Sequence, residues 1–109
     1  MSQVQDIAGE ALTYLAQTDE DSAKAKARMK GLEYKIKIVL AQQQLIATGS
    51  SATEKKAKAE ASDAYVEVTE TYENAVLDYE TLNAKRSTQV ARFEWCRSIN
   101  ANRRMGGQT

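Results

Sequence analysis

The residues best suited to chemistry lie near the end of the sequence, in the segment ARFEWCRSINANRRMGG. The only Phe, Trp and Cys of the 109 residues, which are Phe93, Trp95 and Cys96, fall within four consecutive positions. Four arginines surround them, at Arg92, Arg97, Arg103 and Arg104. Guanidinium groups bind phosphate, an exposed indole stacks on nucleobases, and a thiolate is a nucleophile. This segment is therefore the first candidate for a functional site.

A second basic cluster lies in the segment TEKKAKAE, at Lys55, Lys56 and Lys58. Lys and Arg side chains that neutralise phosphates supply most of the non-specific affinity for nucleic acids. We therefore take these three lysines and the four arginines as candidate nucleic-acid-binding residues.

The composition argues against catalysis and against a bound metal or cofactor. The chain has no His and one Cys, which removes the commonest metal ligand and general base and excludes an internal disulfide. No pair of titratable residues has the pattern of a nucleophile and its base. We expect a non-enzymatic protein with no catalytic residue, metal or cofactor. Cys96 is interpreted as a small buried hydrophobe, with a reactive thiol as the less favoured alternative.

The elements that position these residues are predicted to be helices. A chain of 109 residues has room for one domain, and no Pro with abundant Ala, Glu, Lys and Gln is typical of long helices. No apolar run approaches the roughly 18 residues that cross a bilayer. The first residues, MSQVQDIAGE, also lack the pattern of a leader peptide. We expect an all-α protein in the cytoplasm, without a membrane association.

The segment IATGSSATEKK predicts the turn between two helices. Gly49 follows a long periodic segment, as a left-handed residue at a helix end would, and Ser51 with Glu54 matches an S-x-x-E capping box. A short connection makes the flanking helices antiparallel neighbours. The predicted fold is a long antiparallel helical hairpin resembling a coiled coil, with helices at about 2–47 and 52–103 and a turn at 48–51.

One domain is expected over residues 1–104, followed by a flexible tail at 105–109, because MGGQT has two glycines and nothing to bury. The segment AQTDEDSAK makes Thr18 a potential N-cap, with Asp21 three residues later. We therefore expect the first helix to be kinked or broken near 18–21, which would leave a separate N-terminal helix.

Apolar and small residues recur with alternating spacings of three and four, which predicts a heptad seam on each helix. The first seam runs through Ala8, Ala11, Leu15, Thr18, Ser22, Ala25, Met29, Leu32, Ile36, Val39, Gln43 and Ile46. The second seam runs through Ala61, Tyr65, Val68, Tyr72, Ala75, Tyr79, Leu82, Arg86, Gln89, Phe93 and Cys96. The three tyrosines spaced by seven are interpreted as seam residues, in preference to a stacking platform for bases.

Trp95 lies about 160° from the midpoint of the second seam, at 100° per residue. Trp95, with Ile99 beside the seam, is therefore predicted to contact a partner or another protomer. Two helices cover only one stripe of each other, and the apolar residues outside the seams are too numerous for one hairpin. They include Leu12, Leu40, Leu45, Leu77 and Val90. We expect a homo-oligomer.

Charge alternates along the chain in four blocks: −5 over residues 1–23, +7 over 24–58, −7 over 59–84 and +5 over 85–109. A chain that folds back near Gly49 opposes the acidic and basic blocks, with partner numbers that add to about 100. This register places Arg28 and Lys30 near Glu73 and Glu70, and Lys37 near Asp63. Intramolecular pairing is therefore preferred to nucleic-acid binding for the basic run KAKARMK.

The segment YETLNAKRSTQVARFEWCRSINANRRMG is similar to segments of small phage recombination-accessory proteins, with the form L-x-x-K-R-x-x-x-x-x-R-x-E-x-W-R-S-x-x-x-x-R. The layout of residues 20–104 also resembles, more distantly, the UvsY recombination mediator family. That resemblance implies a helical oligomer that binds single-stranded DNA and helps to load a recombinase over the single-strand-binding protein. The chain departs from the family in being shorter and in lacking a clear C-terminal oligomerisation extension.

Three functions are compatible with these patterns. The first is a phage-type accessory protein of recombination or DNA metabolism, located in the host cytoplasm, that oligomerises and binds single-stranded DNA weakly. The second is a protein-binding module that inhibits or bridges a host or phage complex, such as an anti-defence inhibitor, through Trp95. The third is a structural or scaffolding coiled coil. Zero net charge favours the last two, because dedicated DNA-binding proteins are usually basic.

Overall fold

A computed structural model describes residues 3–107, and these residues form three helices and no strand. Helix α1 spans Gln3–Ile46, helix α2 spans Ala52–Glu60 and helix α3 spans Asp63–Gly107. The predicted all-α class is confirmed, and α1 and α3 form the long antiparallel helical hairpin. No helix in the described range is both long enough and apolar enough to cross a membrane.

Contacts divide the chain into two units, each built from one part of α1 and one part of α3. The terminal unit contains the residues up to Ala23 and those from Glu80 onward. The turn unit contains Lys24–Tyr79, which includes α2. Both names are used below for these residues alone.

The hairpin seam that the 3-4 spacing predicted is confirmed by burial. Every predicted position of α1 from Ala8 to Gln43 is buried or half-buried, and so is every predicted position of α3 from Tyr65 to Cys96. The two outer ends of the pattern are wrong, because Ile46 is 72% exposed and Ala61 is exposed. Within the described residues the buried apolar side chains are small: Val4, Ala11, Ala59, Val68, Ala75 and Cys96.

The break predicted in the first helix near 18–21 is wrong, because α1 is continuous from Gln3 to Ile46. Thr18 does not cap a new helix. Its hydroxyl donates to the Tyr14 carbonyl at 2.8 Å, which is the usual bond of a threonine inside a helix. The same oxygen accepts a hydrogen bond from Arg86 across the hairpin seam at 2.6 Å. The polar segment around Thr18 therefore accepts hydrogen bonds from Arg86 and does not end the helix.

The Arg86 guanidinium forms the polar centre of the terminal unit. Besides Thr18, it donates to the Leu15 carbonyl at 2.9 Å and to the Asp19 carboxylate at 2.6 Å. The Arg86 side chain is only 19% exposed. A charged group that is this buried is stable only with close acceptors, and α1 supplies three of them. Arg86 therefore occupies a seam position without leaving an unpaired charge.

The predicted continuous second helix at 52–103 is also wrong, because α2 ends at Glu60 and α3 begins at Asp63. Ser62 accounts for this break. Its hydroxyl donates to the Ala59 carbonyl at 2.6 Å and accepts from the Tyr65 N–H at 3.3 Å, so it caps α3 while closing α2. Asp63 follows in the first turn of α3, where a negative charge is favourable.

At the other end of α3, residues 105–107 of the predicted flexible tail belong to the helix. Gln108 and Thr109, which complete that tail, lie outside the described residues.

The turn contains the predicted N-cap but not the predicted glycine conformation. The Ser51 hydroxyl accepts from the Glu54 N–H at 3.1 Å, and the Glu54 carboxylate accepts from the Ser50 N–H at 3.1 Å. No glycine has a positive φ in the described chain, so the prediction of a left-handed conformation at Gly49 is wrong. A Cβ on Gly49 would lie 3.0 Å from the Glu54 side chain. Gly49 therefore leaves room for the capping carboxylate.

The register of the hairpin differs from the predicted one. The observed pairs across the seam have numbers that add to between 101, for Leu15 with Arg86, and 106, for Arg28 with Asp78, where about 100 was predicted. The predicted register assumed a continuous second helix, which the break between α2 and α3 at residues 61–62 interrupts. Arg28 pairs with Asp78 at 3.3 Å, and its predicted neighbour was Glu73.

Candidate nucleic-acid and partner interfaces

An open groove of about 670 Å³ lies at the C-terminal end of α3 in the terminal unit. We call it the arginine groove, and its lining residues are Gln5, Glu94, Arg97, Ser98, Asn100, Ala101, Arg103 and Arg104. The segment that builds it has no Pro and stays helical to Gly107, so Arg97 and Arg104, which are seven residues apart, lie on nearly the same side of α3, and Arg103 lines the groove from about 120° around the helix. Three guanidinium groups with amide and hydroxyl neighbours match the donors that bind phosphate oxygens.

One acidic side chain lies among these donors. The Glu94 carboxylate is 3.5 Å from the Arg97 guanidinium, one helical turn away, and both side chains are more than half exposed. An exposed pair of this kind contributes little to stability, so Arg97 can exchange it for another anion. Glu94 was not among the site residues predicted from the sequence. The E-x-x-R spacing of Glu94 and Arg97 is the signal that indicates it.

Arg92 has a different environment from the other three arginines. Its guanidinium donates to the Gln89 side chain at 3.2 Å and lies 4.0 Å from the Glu10 carboxylate of α1. The residue is half-buried. Arg92 therefore bridges the two helices of the hairpin and does not line the arginine groove.

The lysines near the turn also fall into two groups. Lys58 donates to the carbonyl and the hydroxyl of Thr48 and lies 3.6 Å from the Glu54 carboxylate. These contacts hold the start of the turn against α2, so Lys58 has a structural role. Lys55 and Lys56 are exposed on α2. They remain candidate nucleic-acid-binding residues.

Trp95 is 54% exposed, which confirms that it lies outside the hairpin seam. A shallow apolar groove, which we call the Trp95 surface, is lined by Ile7, Thr88, Ala91, Arg92 and Trp95. Ile99 is half-buried and Cys96 is 1% exposed. An exposed Trp next to aliphatic side chains is typical of a contact with another protein. Cys96 has the burial expected of a packing residue and not of an accessible nucleophile.

The arginine groove and the Trp95 surface lie on different sides of α3. At 100° per residue, Arg97 and Arg104 are about 160° and 180° from Trp95 around the helix. Arg92 and Arg103 are about 60° and 80° from it. A single DNA strand cannot bind Arg97 and Arg104 and also stack on Trp95 of the same copy without passing around the helix. A DNA strand that binds Arg97 and Arg104 is therefore not expected to contact Trp95 of the same copy.

The basic run of α1 does not face α3 as a whole. Tyr34 is 71% exposed, and Lys30 and Lys37 lie one turn before and after it, with Lys37 Nζ 6.0 Å from the ring centroid. These residues line a small cavity with Glu33. Intramolecular pairing was predicted for this basic run, and it is observed at Arg28, which reaches Asp78. Lys30 and Lys37 lie with Tyr34 on the side of α1 turned away from the seam.

Comparison with protein families, with curated proteins and with solved structures finds no match to this chain.

Proposed function

We propose that the protein is a non-enzymatic accessory protein of DNA metabolism, of the phage recombination type, that self-associates and binds single-stranded DNA weakly. The observation that supports this proposal most directly is the arginine groove. It gathers Arg97, Arg103 and Arg104 at one end of the molecule, whereas the net charge of the whole chain is zero. A local concentration of positive charge attracts a polyanion even when the protein as a whole is neutral.

Single-stranded DNA fits this groove better than a duplex because of the size and type of its donors. The groove is short, and its guanidinium and amide groups contact phosphate and sugar without reading base edges. A flexible strand can adapt its backbone to one helix end, as in other basic grooves that follow single strands. We expect weak binding without sequence preference and no cofactor. A recombinase or a single-strand-binding protein is the partner that the resemblance to recombination mediators implies.

Self-association is supported by the small core and the exposed apolar side chains. The largest fully buried side chain in the described chain is Cys96. Large apolar residues remain in contact with water on both units: Leu12, Tyr34, Ile38, Leu45, Ile46, Val66, Leu77, Val90, Trp95 and Met105. Covering such residues in an oligomer is favourable by about 25 cal/mol for each Å² of apolar surface. Several copies also multiply the arginine grooves available to one strand.

The test is fluorescence anisotropy with a labelled single-stranded oligonucleotide and a duplex of the same length at low salt. We expect binding at tens of micromolar protein, tighter for the single strand than for the duplex. The logarithm of the affinity should fall linearly with that of the salt concentration, by about 0.7 for each phosphate contact. An absence of binding to either DNA at low salt would contradict the proposal.

The second candidate function is binding to a partner protein through the Trp95 surface, with inhibition or bridging of a host or phage complex as the outcome. The exposed Trp95 beside Ile7 and Ala91 favours it. The substitution Trp95→Ala tests whether Trp95 also contacts DNA. If Trp95 contacts protein alone, the affinity for single-stranded and duplex DNA changes by the same factor; if it stacks on bases, the affinity for the single strand falls more.

A further inference from the structure

The outer side of α1 in the turn unit carries a second apolar stripe. Its positions have the same 3-4 spacing as the hairpin seam and lie about 180° from it around the helix. The stripe consists of Ala27, Gly31, Tyr34, Ile38, Ala41 and Leu45, and all six residues are exposed. Tyr34 is 71% exposed, Ile38 is 56% exposed and Leu45 is 86% exposed. A stripe of this length and spacing is the pattern that packs against another helix.

Positive charge lies along both sides of this stripe. Within about 60–80° of its centre around the helix are Lys24, Lys30, Lys35 and Lys37, and the one acidic residue of α1 in the turn unit, Glu33, lies about 120° from that centre, next to Lys30 and Lys37. We call these four lysines and the six stripe residues the basic face. A helix that packs on it must present apolar or small residues flanked by carboxylates.

The outer side of α3 in the same unit has that chemistry. Four carboxylates are exposed there, at Asp63, Glu67, Glu70 and Glu73. The apolar side chains of Val66 and Leu77 and the amide of Asn74 share this side and are also exposed. We call these seven residues the acidic face. Its centre lies about 180° from the α3 side of the hairpin seam, so one copy cannot pack its own acidic face on its own basic face. Only at the edge of the seam do the two faces meet, where Glu67 and Lys35 of one copy line a common small cavity.

We propose that the basic face of one copy packs on the acidic face of a second copy. The inference deepens the proposed function, because it assigns the surface through which the protein self-associates. Charge complementarity identifies the occupant: each copy carries one face of each sign, and two like faces would repel. Because the two faces differ, the contact is heterologous, and further copies can add to a dimer. The arginine groove belongs to the terminal unit, and none of its lining residues belongs to either face.

The test uses two charge-reversed variants of the full chain. Lys30→Glu with Lys37→Glu makes the basic face acidic, and Glu67→Lys with Glu70→Lys makes the acidic face basic. Lys and Glu have similar helix propensities and these positions are exposed, so both variants should keep the helix content in circular dichroism. The matched control is Lys55→Glu with Lys56→Glu on α2, which changes the net charge by the same amount as the first variant.

Sedimentation velocity at tens of micromolar protein gives the result. We expect the unmodified chain and the α2 control to assemble, and each face variant alone to remain a monomer. An equimolar mixture of the two variants should assemble again, because opposite charges face each other once more. The proposal is overturned if the unmodified chain is a monomer, if either variant assembles like the unmodified chain, or if the mixture stays monomeric.

An apolar substitution gives an independent readout. Ile38→Ser should raise the dissociation constant of the assembly by about tenfold, since a buried aliphatic side chain is lost from the contact. The control is Leu12→Ser, which changes a 49% exposed apolar residue of α1 in the terminal unit. Equal effects of the two substitutions would contradict the assignment of the interface to the turn unit.

Failure of this inference differs from failure of the proposed function. If the unmodified chain assembles and binds DNA but the mixed variants do not reassemble, the two faces are wrong and the proposed function stands. If mixing restores assembly but the unmodified chain binds no DNA, the interface stands and the nucleic-acid function is wrong.

Discussion

The terminal unit and the turn unit contain the same pair of helices held together in different ways. In the terminal unit a mostly buried Arg86 crosses the seam and donates to Leu15, Thr18 and Asp19 of α1. In the turn unit the polar links across the seam are at its exposed edges, from Tyr72 to Glu33 and from Arg28 to Asp78. A buried arginine must reach specific acceptors, so it fixes the alignment of the two helices. Apolar contacts tolerate a shift of one helix along the other. The register is therefore specified most strongly in the terminal unit.

The surfaces of the two units differ in a corresponding way. The terminal unit carries the arginine groove, where donors converge on a site that suits an anion. The turn unit carries Tyr34, Ile38 and Leu45 along one helix side, where apolar surface suits another helix. The proposed nucleic-acid site and the proposed contact between copies therefore fall in different units.

The largest difference between the two units is expected when Arg86, at the centre of the terminal unit, is replaced. Arg86→Met keeps the aliphatic stem but removes its hydrogen bonds to α1, and we expect a loss of about 2 kcal/mol in the free energy of unfolding. Arg28→Met is the matched change in the turn unit, where the pair is exposed, and should cost about 0.5 kcal/mol or less. Urea denaturation measures both. Similar losses for the two variants would contradict the special role of Arg86.

The turn unit should be weakened most by loss of the cap between α2 and α3. Ser62→Ala removes the hydroxyl that bonds Ala59 and Tyr65, and we expect it to cost about 1 kcal/mol. Ser87→Ala is a suitable control, because Ser87 is exposed within α3 of the terminal unit and should change stability by less than about 0.5 kcal/mol. Denaturant unfolding of both variants checks this prediction, and equal stabilities would show that Ser62 is not a cap.

A smaller effect, on the affinity for DNA, is expected from a substitution in the arginine groove of the terminal unit. Glu94→Gln removes the one carboxylate among the described residues that line the arginine groove, and Arg97 loses its 3.5 Å partner. The affinity for single-stranded DNA should rise by about two- to fivefold, as expected for loss of one nearby like charge from an exposed site. Anisotropy titrations at low salt measure the change. Glu60→Gln on α2 serves as the control for the change in net charge, and an equal rise there would contradict a local effect.

The smallest effect is expected at Tyr72. Its hydroxyl donates to the Glu33 carboxylate at 3.1 Å, and this hydrogen bond raises the pKa of Tyr72 above its ordinary value. The raised pKa means that the folded state favours the neutral phenol. The resulting stabilisation is complete below the ordinary tyrosine pKa and is lost as the pH rises through the higher value of the folded protein.

Ultraviolet titration of the tyrosines tests this prediction. One tyrosine should ionise later than it does in the unfolded chain, and Tyr72→Phe should remove that late step. Glu33→Gln should move it to lower pH, because the neutral amide no longer favours the phenol. An unchanged titration curve in Glu33→Gln would contradict the assignment.

The fold could be predicted from the sequence where the pattern repeats over many turns. The 3-4 spacing from Ala8 to Gln43 and from Tyr65 to Cys96 identified the seam, because each added heptad strengthens the same signal. Single positions were less reliable. Ala61 matches the heptad, and the Ser62–Asp63 start signal is too short to outweigh the surrounding helical pattern. The predicted left-handed conformation of Gly49 was wrong. A glycine suits this position because a Cβ would lie close to the Glu54 side chain, and not because the backbone has a positive φ.

The candidate site could be predicted in part. The cluster of Arg97, Arg103 and Arg104 is visible in the sequence, and the structure places all three around one groove. The environments of Arg92 and Lys58 could not be predicted, because their partners Glu10 and Thr48 depend on the register and the turn. The basic face was missed for a related reason. Its residues share the spacing of the seam, and charge alone suggested that the lysines faced α3.

The central claim of the proposed function is that the arginine groove of the terminal unit contributes more to single-stranded DNA binding than the exposed lysines of α2 do. It is tested most directly by anisotropy titrations over a range of salt concentrations with two double variants. Arg97→Ala with Arg104→Ala should weaken binding at least tenfold and reduce the salt slope by about 1.4, for two lost phosphate contacts. Lys55→Ala with Lys56→Ala, which removes the same charge from the turn unit, should change the affinity by less than about twofold. Equal losses in the two variants, or a larger loss in the lysine variant, would contradict the claim.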